Sequence, residues 1–169
     1  MMIATFIQLH AEGDGVKTTS ALHLGAGWTG DMAHSLTGGL KRGSAYLGMA
    51  TFNAGLDTET AGLWKGGFFG VTAVRTLGAM PSYDLFGDAQ VTSNIEAGDH
   101  LFLMELSFRQ KFGPAEVTLG LQDLNAVFAL SESGGLFLNS SFGIMPVITG
   151  NIPVPVFPLT SPGITVVMK

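Results

Sequence analysis

The chain has 169 residues, of which 46% are hydrophobic and only 12% charged, against roughly 25% charged in an average soluble domain, so a soluble fold would be short of surface charge. Its net charge is −5 with a pI near 5.2, and its few basic residues are scattered, which excludes an electrostatic footprint for DNA or RNA. The absence of cysteine excludes disulfides, thiolate chemistry and cysteine-based zinc sites.

In chain order, Met1–Leu9 is apolar but lacks a basic n-region and a small-residue cleavage site, so it does not read as a signal peptide. Residues 1–15 read as a lead. Val16–Thr29 is the first strand, with Leu22, Leu24, Ala26 and Trp28 alternating against His23, Gly25, Gly27 and Thr29. Gly30–Arg42, with Asp31 and Gly38-Gly39, reads as a loop. Gly43–Asp57 resumes the alternation: Tyr46, Phe52, Ala54 and Leu56 share one face, Thr51, Asn53 and Asp57 the other, and Leu47 and Met49 blur the wet side. After the short connection Thr58–Leu63, Trp64–Leu77 forms a third strand whose facing stays open, because Phe68 and Phe69 are adjacent.

Gly78–Gly98 is long and polar, and His100–Leu124 then carries the clearest period-two pattern of the chain, folded about Gly113-Pro114. On its first arm Phe102, Met104, Leu106, Phe108 and Phe112 face one way, broken by Gln110, while Glu105, Ser107, Arg109 and Lys111 face the other; Leu101 and Leu103 blur only the start. On the second arm Val117, Leu119 and Leu121 oppose Glu116, Thr118 and Gln122. Asn125–Pro162 is another long connection, and Gly163–Lys169 begins a sixth strand. No charged residue occurs from Ser133 to Met168, yet Pro146, Pro153, Pro155, Pro158 and Pro162 argue against a helix there. No apolar run reaches the roughly 18 residues of a spanning helix, so a membrane protein with this sequence would be a barrel. Short and long connections alternate, as they do between the two rims of outer-membrane barrels.

The strand pattern alone leaves two environments open for the oily face: the core of a soluble sheet, or lipid outside a barrel with a wet lumen. Gly25–Gly30 matches G-x-G-x-x-G after a strand-like segment, but Asp31–Leu36 is too short to be the helix that would hold a phosphate, and no βα units follow. His10, His23, His34 and His100 show no ligand spacing, and no serine lies in a G-x-S-x-G elbow. Asp123 and Asn125 at the end of the fifth strand suit turn capping and ligand contact equally. Asn139-Ser140-Ser141 matches a glycosylation sequon, a pattern that recurs by chance.

Asp57 closing the second strand, Ser93–Glu96 before the fourth, the Gly-x-x-Asp-x-Asn run Gly120–Asn125 and the Asn139–Gly143 motif together resemble the carbohydrate-selective outer-membrane porins of Gram-negative bacteria, over Gly38–Gly143 and more weakly the flanks. The resemblance implies an all-β fold: an antiparallel transmembrane β-barrel, here an N-terminal portion of about six strands over residues 16–169, where the family's barrel has about 16. It implies passive diffusion of small sugars across the outer membrane, with outer-membrane lipid around the barrel, a homo-oligomer left open, and neither cofactor, metal nor catalysis. The pore-lining candidates are Glu105, Arg109, Lys111, Asp123, Asn125 and Glu132, with Glu105 and Arg109 read as a pair of opposite charges. By fold-level analogy with porins, Asn125–Ser161 is expected to narrow the pore. The rival readings are a soluble all-β carbohydrate-binding or structural module and an α/β nucleotide-dependent enzyme.

Overall fold

The computed structural model describes residues 3–12, 20–128, 133–134, 137–143 and 146–168. Among them, β1 (Ile3–Glu12), β2 (Leu22–Thr37), β3 (Gly43–Asp57), β4 (Gly67–Gly78), β5 (His100–Phe112), β6 (Ala115–Gln122) and β7 (Ser161–Met168) form one sheet in which every strand pairs antiparallel with its sequence neighbours. No described helix is long and apolar enough to cross a membrane, which bears only on helices. The expected all-β, antiparallel architecture is found, with seven described strands rather than six.

The additional strand is β1, in the segment read as a lead. Its register sets Ile7, Leu9 and Ala11 opposite Met32, Gly30 and Trp28, and Gln8, His10 and Glu12 opposite Asp31, Thr29 and Gly27. The alternation exists in the sequence but is short, and Ala4 and Phe6 obscure it. A second correction concerns Gly30–Arg42. Strand β2 continues to Thr37, and the connection is only 38–42. Gly30 and Asp31 look like strand breakers but have other work: beside Gly30 and Gly48 stand the rings of Trp28 and Tyr46, and a Cβ at Gly48 would come 2.6 Å from the Trp28 ring. The turn itself uses Gly39, at φ +71, where a Cβ would lie 2.5 Å from the Leu85 carbonyl oxygen.

The registers assign every side chain of β2–β7 to one of two faces, because residues directly opposite each other across a ladder point the same way. One face carries Leu24, Phe52, Val71, Leu106, Leu119 and Ile164, all exposed apolar residues. The other carries Thr29, Asp31, Ser35, Thr76, Gln122 and Thr165, all buried polar residues. A soluble sheet does the reverse, burying its oily face against a second layer. The segment 79–99, which folds back onto this sheet, covers the polar face: Leu85 and Phe86 pack on Ala33 and Ala45, and the buried Leu47 lies on the same face. That packing explains why Leu47 interrupts the wet side of β3.

Two further irregularities resolve. Strand β4 turns Phe68 to the polar face and Phe69 to the apolar one, which settles the open facing of that strand. In β5 the ladder with β4 slips between Thr72 and Ala73, so that Thr72 pairs with Glu105 while Ala73 pairs with Leu103. The extra residue is Met104, which is buried. A β-bulge of this kind reverses the facing beyond it. Leu101 and Leu103 therefore lie on the apolar face, while Phe102, expected on that face, lies with His100 on the polar one.

Connections 38–42, 79–99 and 123–160 join strand ends at one rim, and 58–66 and 113–114 join them at the other. The first of these was expected to be long and is short, but the two longest share a rim. Long connections mark the extracellular end of an outer-membrane barrel. At the opposite rim, Trp64, Phe69 and Phe108 cluster with ring centroids 4.7–6.3 Å apart, and the Trp64 indole N–H donates to Gln110 Oε1 at 2.8 Å. Aromatic side chains with a polar handle favour the membrane–water boundary, and this bond accounts for the glutamine that interrupts the oily face of β5.

Candidate pore lining

The polar face of β3–β6 presents its functional groups in tiers. In the middle of the sheet, the Thr72 hydroxyl lies 3.0 Å from Asn53 Oδ1 and 3.2 Å from Glu105 Oε2. A single hydroxyl proton serves one acceptor at a time, so one of the two acceptors on this tier keeps unused hydrogen-bonding capacity. Nearer the short-turn rim, Arg109 Nη1 lies 3.8 Å from Glu116 Oε1, and the guanidinium carbon sits 4.9 Å from the centroid of the Phe68 ring. The ring of His23 lies 6.3 Å from that same Phe68 ring.

Glu105 and Arg109 are on one face, as expected, but they are not partners. Four residues along a strand span about 13 Å, whereas opposite and diagonal neighbours across a ladder lie within side-chain reach. Arg109 therefore pairs with Glu116 and Glu105 with Thr72. Glu116 was missed as a candidate, although the two-residue Gly113-Pro114 turn fixes the hairpin register from sequence alone. That register sets Lys111 opposite Glu116 and Arg109 opposite Thr118. Lys111 is exposed on the same face.

Asp123 and Asn125 stand at the long-loop rim, away from these tiers. Asp123 Oδ1 accepts the Asn125 backbone N–H at 3.0 Å, and the Asn125 side-chain amide donates to the Pro155 carbonyl at 2.7 Å. The two residues cap the end of β6 and tie the start of the connection 123–160 to its end. Glu132 lies outside the described residues.

The sequence did not reveal the part played by 79–99. Ser93 Oγ donates to the buried carboxylate of Asp31 on the β2 wall at 2.5 Å. Ser82 donates its backbone N–H (3.0 Å) and its hydroxyl (2.7 Å) to the two oxygens of the buried Glu96 carboxylate, and its Oγ accepts the Thr92 backbone N–H at 2.7 Å. Burial holds the Glu96 carboxyl above the usual carboxylate range; the Ser82 hydrogen bonds oppose that shift, and the nearby Asp88 and Asp84 carboxylates add to it. The connection 123–160 is in turn bonded to this segment. Asn94 donates its backbone N–H to the Leu138 carbonyl (2.8 Å) and its side-chain amide to the Phe137 carbonyl (3.1 Å), and Ser140 N–H donates to Val91 (3.1 Å). Wall, segment 79–99 and residues 137–143 thus form a hydrogen-bonded series on the polar side.

A family model described as carbohydrate-selective porin, OprB family, matches residues 41–169. No curated protein and no solved structure matches the chain.

Proposed function

The chain belongs to the carbohydrate-selective porin family OprB, and from that premise we propose that its polar face lines a water-filled lumen through which sugars cross the outer membrane by passive diffusion. The observation that carries this reading is the inverted sheet: large apolar side chains exposed on one face, and polar side chains and the folded-back segment 79–99 on the other. Lipid satisfies the first face and a hydrated lumen the second.

On this reading Glu105, Arg109, Lys111 and Glu116, with Asn53 and Thr72, offer acceptors and donors that replace the hydration of sugar hydroxyls one bond at a time. Charges of both signs on one wall suit a neutral, polyhydroxylated solute better than an ion of either sign. Asp123 and Asn125 act at the rim by holding the long connection, and segments 79–99 and 123–160 together narrow the lumen from the extracellular side. Glu132 belongs to the second of these segments. Passage of this kind requires no catalysis and no cofactor.

The test is liposome swelling with the barrel that contains this chain. Arabinose should enter faster than triethylene glycol, a neutral solute of similar size that is not a sugar. Arg109→Ala and Glu105→Ala should each reduce that preference. Equal entry of the two solutes into liposomes carrying the unaltered barrel would overturn the reading.

A further inference from the structure

The connection 123–160 carries a feature that the lining described above does not use. The rings of Phe137 and Phe142 stack with centroids 4.4 Å apart and an interplanar angle of 25°, yet both side chains remain about half exposed, at 51% and 47%. Their backbone is fixed. Residues Ser140–Phe142 form a single 3-10 turn capped by Asn139, whose Oδ1 accepts the Ser141 N–H at 2.9 Å, and Asn94 holds the Phe137 and Leu138 carbonyls from the neighbouring segment. Two large apolar rings held on a fixed backbone and each about half exposed form the kind of apolar surface that marks a ligand contact.

We propose that the Phe137–Phe142 pair is a stacking site for the pyranose ring of a neutral sugar on its way into the lumen; the proposal rests on the carbohydrate-porin reading and adds a subsite to it. Three observations select this ligand. An aromatic face attracts the slightly positive C–H groups on one side of a pyranose, as it attracts other groups with a positive edge. The edge of the pair is polar: among the described residues, the hydroxyls of Ser140 and Ser141 make no hydrogen bond, which leaves them for sugar hydroxyls. The stretch from Ser133 to Met168 has no charged residue, so nothing there favours an ionic solute over a neutral one. Location supports the same choice, since residues 137–143 join the wall through Asn94 and Ser93 on the polar side of β2.

The experiment measures block of the ion current by glucose, with sorbitol as the open-chain control, in planar bilayers holding the barrel that contains this chain. Phe137→Leu and Phe142→Leu keep the apolar bulk but lose the flat π-face, and each should raise the half-blocking glucose concentration roughly three- to tenfold, the scale of one lost stacking contact. Phe137→Tyr and Phe142→Tyr should stay within about twofold of the unaltered protein, as the aromatic face remains. Sorbitol block should not change in any variant. Glucose block unchanged in both Leu variants would overturn the stacking site while leaving the porin reading intact, whereas an unaltered barrel impermeable to sugar would remove the porin reading itself. A second measurement does not depend on variants folding well. Saturation of the phenylalanine ring protons in the unaltered protein should transfer to the C–H protons of one face of bound glucose, and absence of that transfer would also overturn the site.

Discussion

At the scale of residues, the hairpin around Gly113-Pro114 shows how far side-chain alternation can be trusted. From Glu105 to Lys111 the expected facing is the observed one, because both arms have regular ladders and a two-residue turn. This facing makes a sharp prediction. Leu106 is 54% exposed on the apolar face, whereas the adjacent Ser107 lies between Gly70 and Gly120 on the polar one. Leu106→Arg should cost about 2–4 kcal/mol of folding free energy in lipid, and Ser107→Arg far less, since an arginine there reaches into water. Folding yields of the two variants in lipid vesicles check this, and equal yields would mean that the faces are exchanged. What alternation could not reveal was Met104: a bulge adds a residue without altering composition, so Phe102 was given the wrong face. Nor could it tell which opposite charges meet, because Arg109 and Glu105 share a face but not a contact.

At the scale of elements, six of the seven described strands were legible from period two and turn residues, while β1 was too weakly patterned to be recognised. The segment 79–99 looked like a polar loop because its polar groups serve each other and the wall; composition does not distinguish a hydrogen-bonded insert from a solvated loop. Its attachment should depend on pH through Glu96. A carboxyl whose folded pKa is raised contributes stability that is fully present below its unfolded value, near 4.5, and is lost as the pH rises through the raised folded value. The insert should therefore be held more tightly toward pH 4.5 than at neutrality, because protonation of Glu96 removes the burial penalty on its charge and its repulsion by the Asp88 and Asp84 carboxylates. Hydrogen exchange of the amides of residues 82–96 between these pH values, corrected for intrinsic rates, measures this. In Glu96→Gln the pH dependence should shrink, and an undiminished dependence would assign it to another group.

At the scale of the whole molecule, family and fold class were readable from dispersed motifs and strand pattern, whereas the choice between soluble core and lipid needed the fold. The packing of 79–99 on the polar face, with large apolar side chains left exposed on the other, supports lipid. The described sheet is open, with β1 and β7 at its edges, and lipid offers no hydrogen bonds to an unpaired strand. The 169-residue polypeptide on its own should therefore give no stable, sugar-permeable conductance in planar bilayers without pairing those edges, and monomeric channels of that kind would refute this. The face assignment, on which the lumen, the lining and the sugar path all depend, has a more direct test, made simple by the absence of cysteine from the chain. Single substitutions Thr72→Cys and Ser107→Cys on the polar face, and Val71→Cys and Leu106→Cys on the apolar face, are treated in the reconstituted barrel with a membrane-impermeant, water-soluble thiol reagent while conductance is recorded. The account predicts rapid modification and a fall in conductance for Thr72→Cys and Ser107→Cys, with Val71→Cys and Leu106→Cys protected by lipid; modification of the latter pair with protection of the former would contradict it.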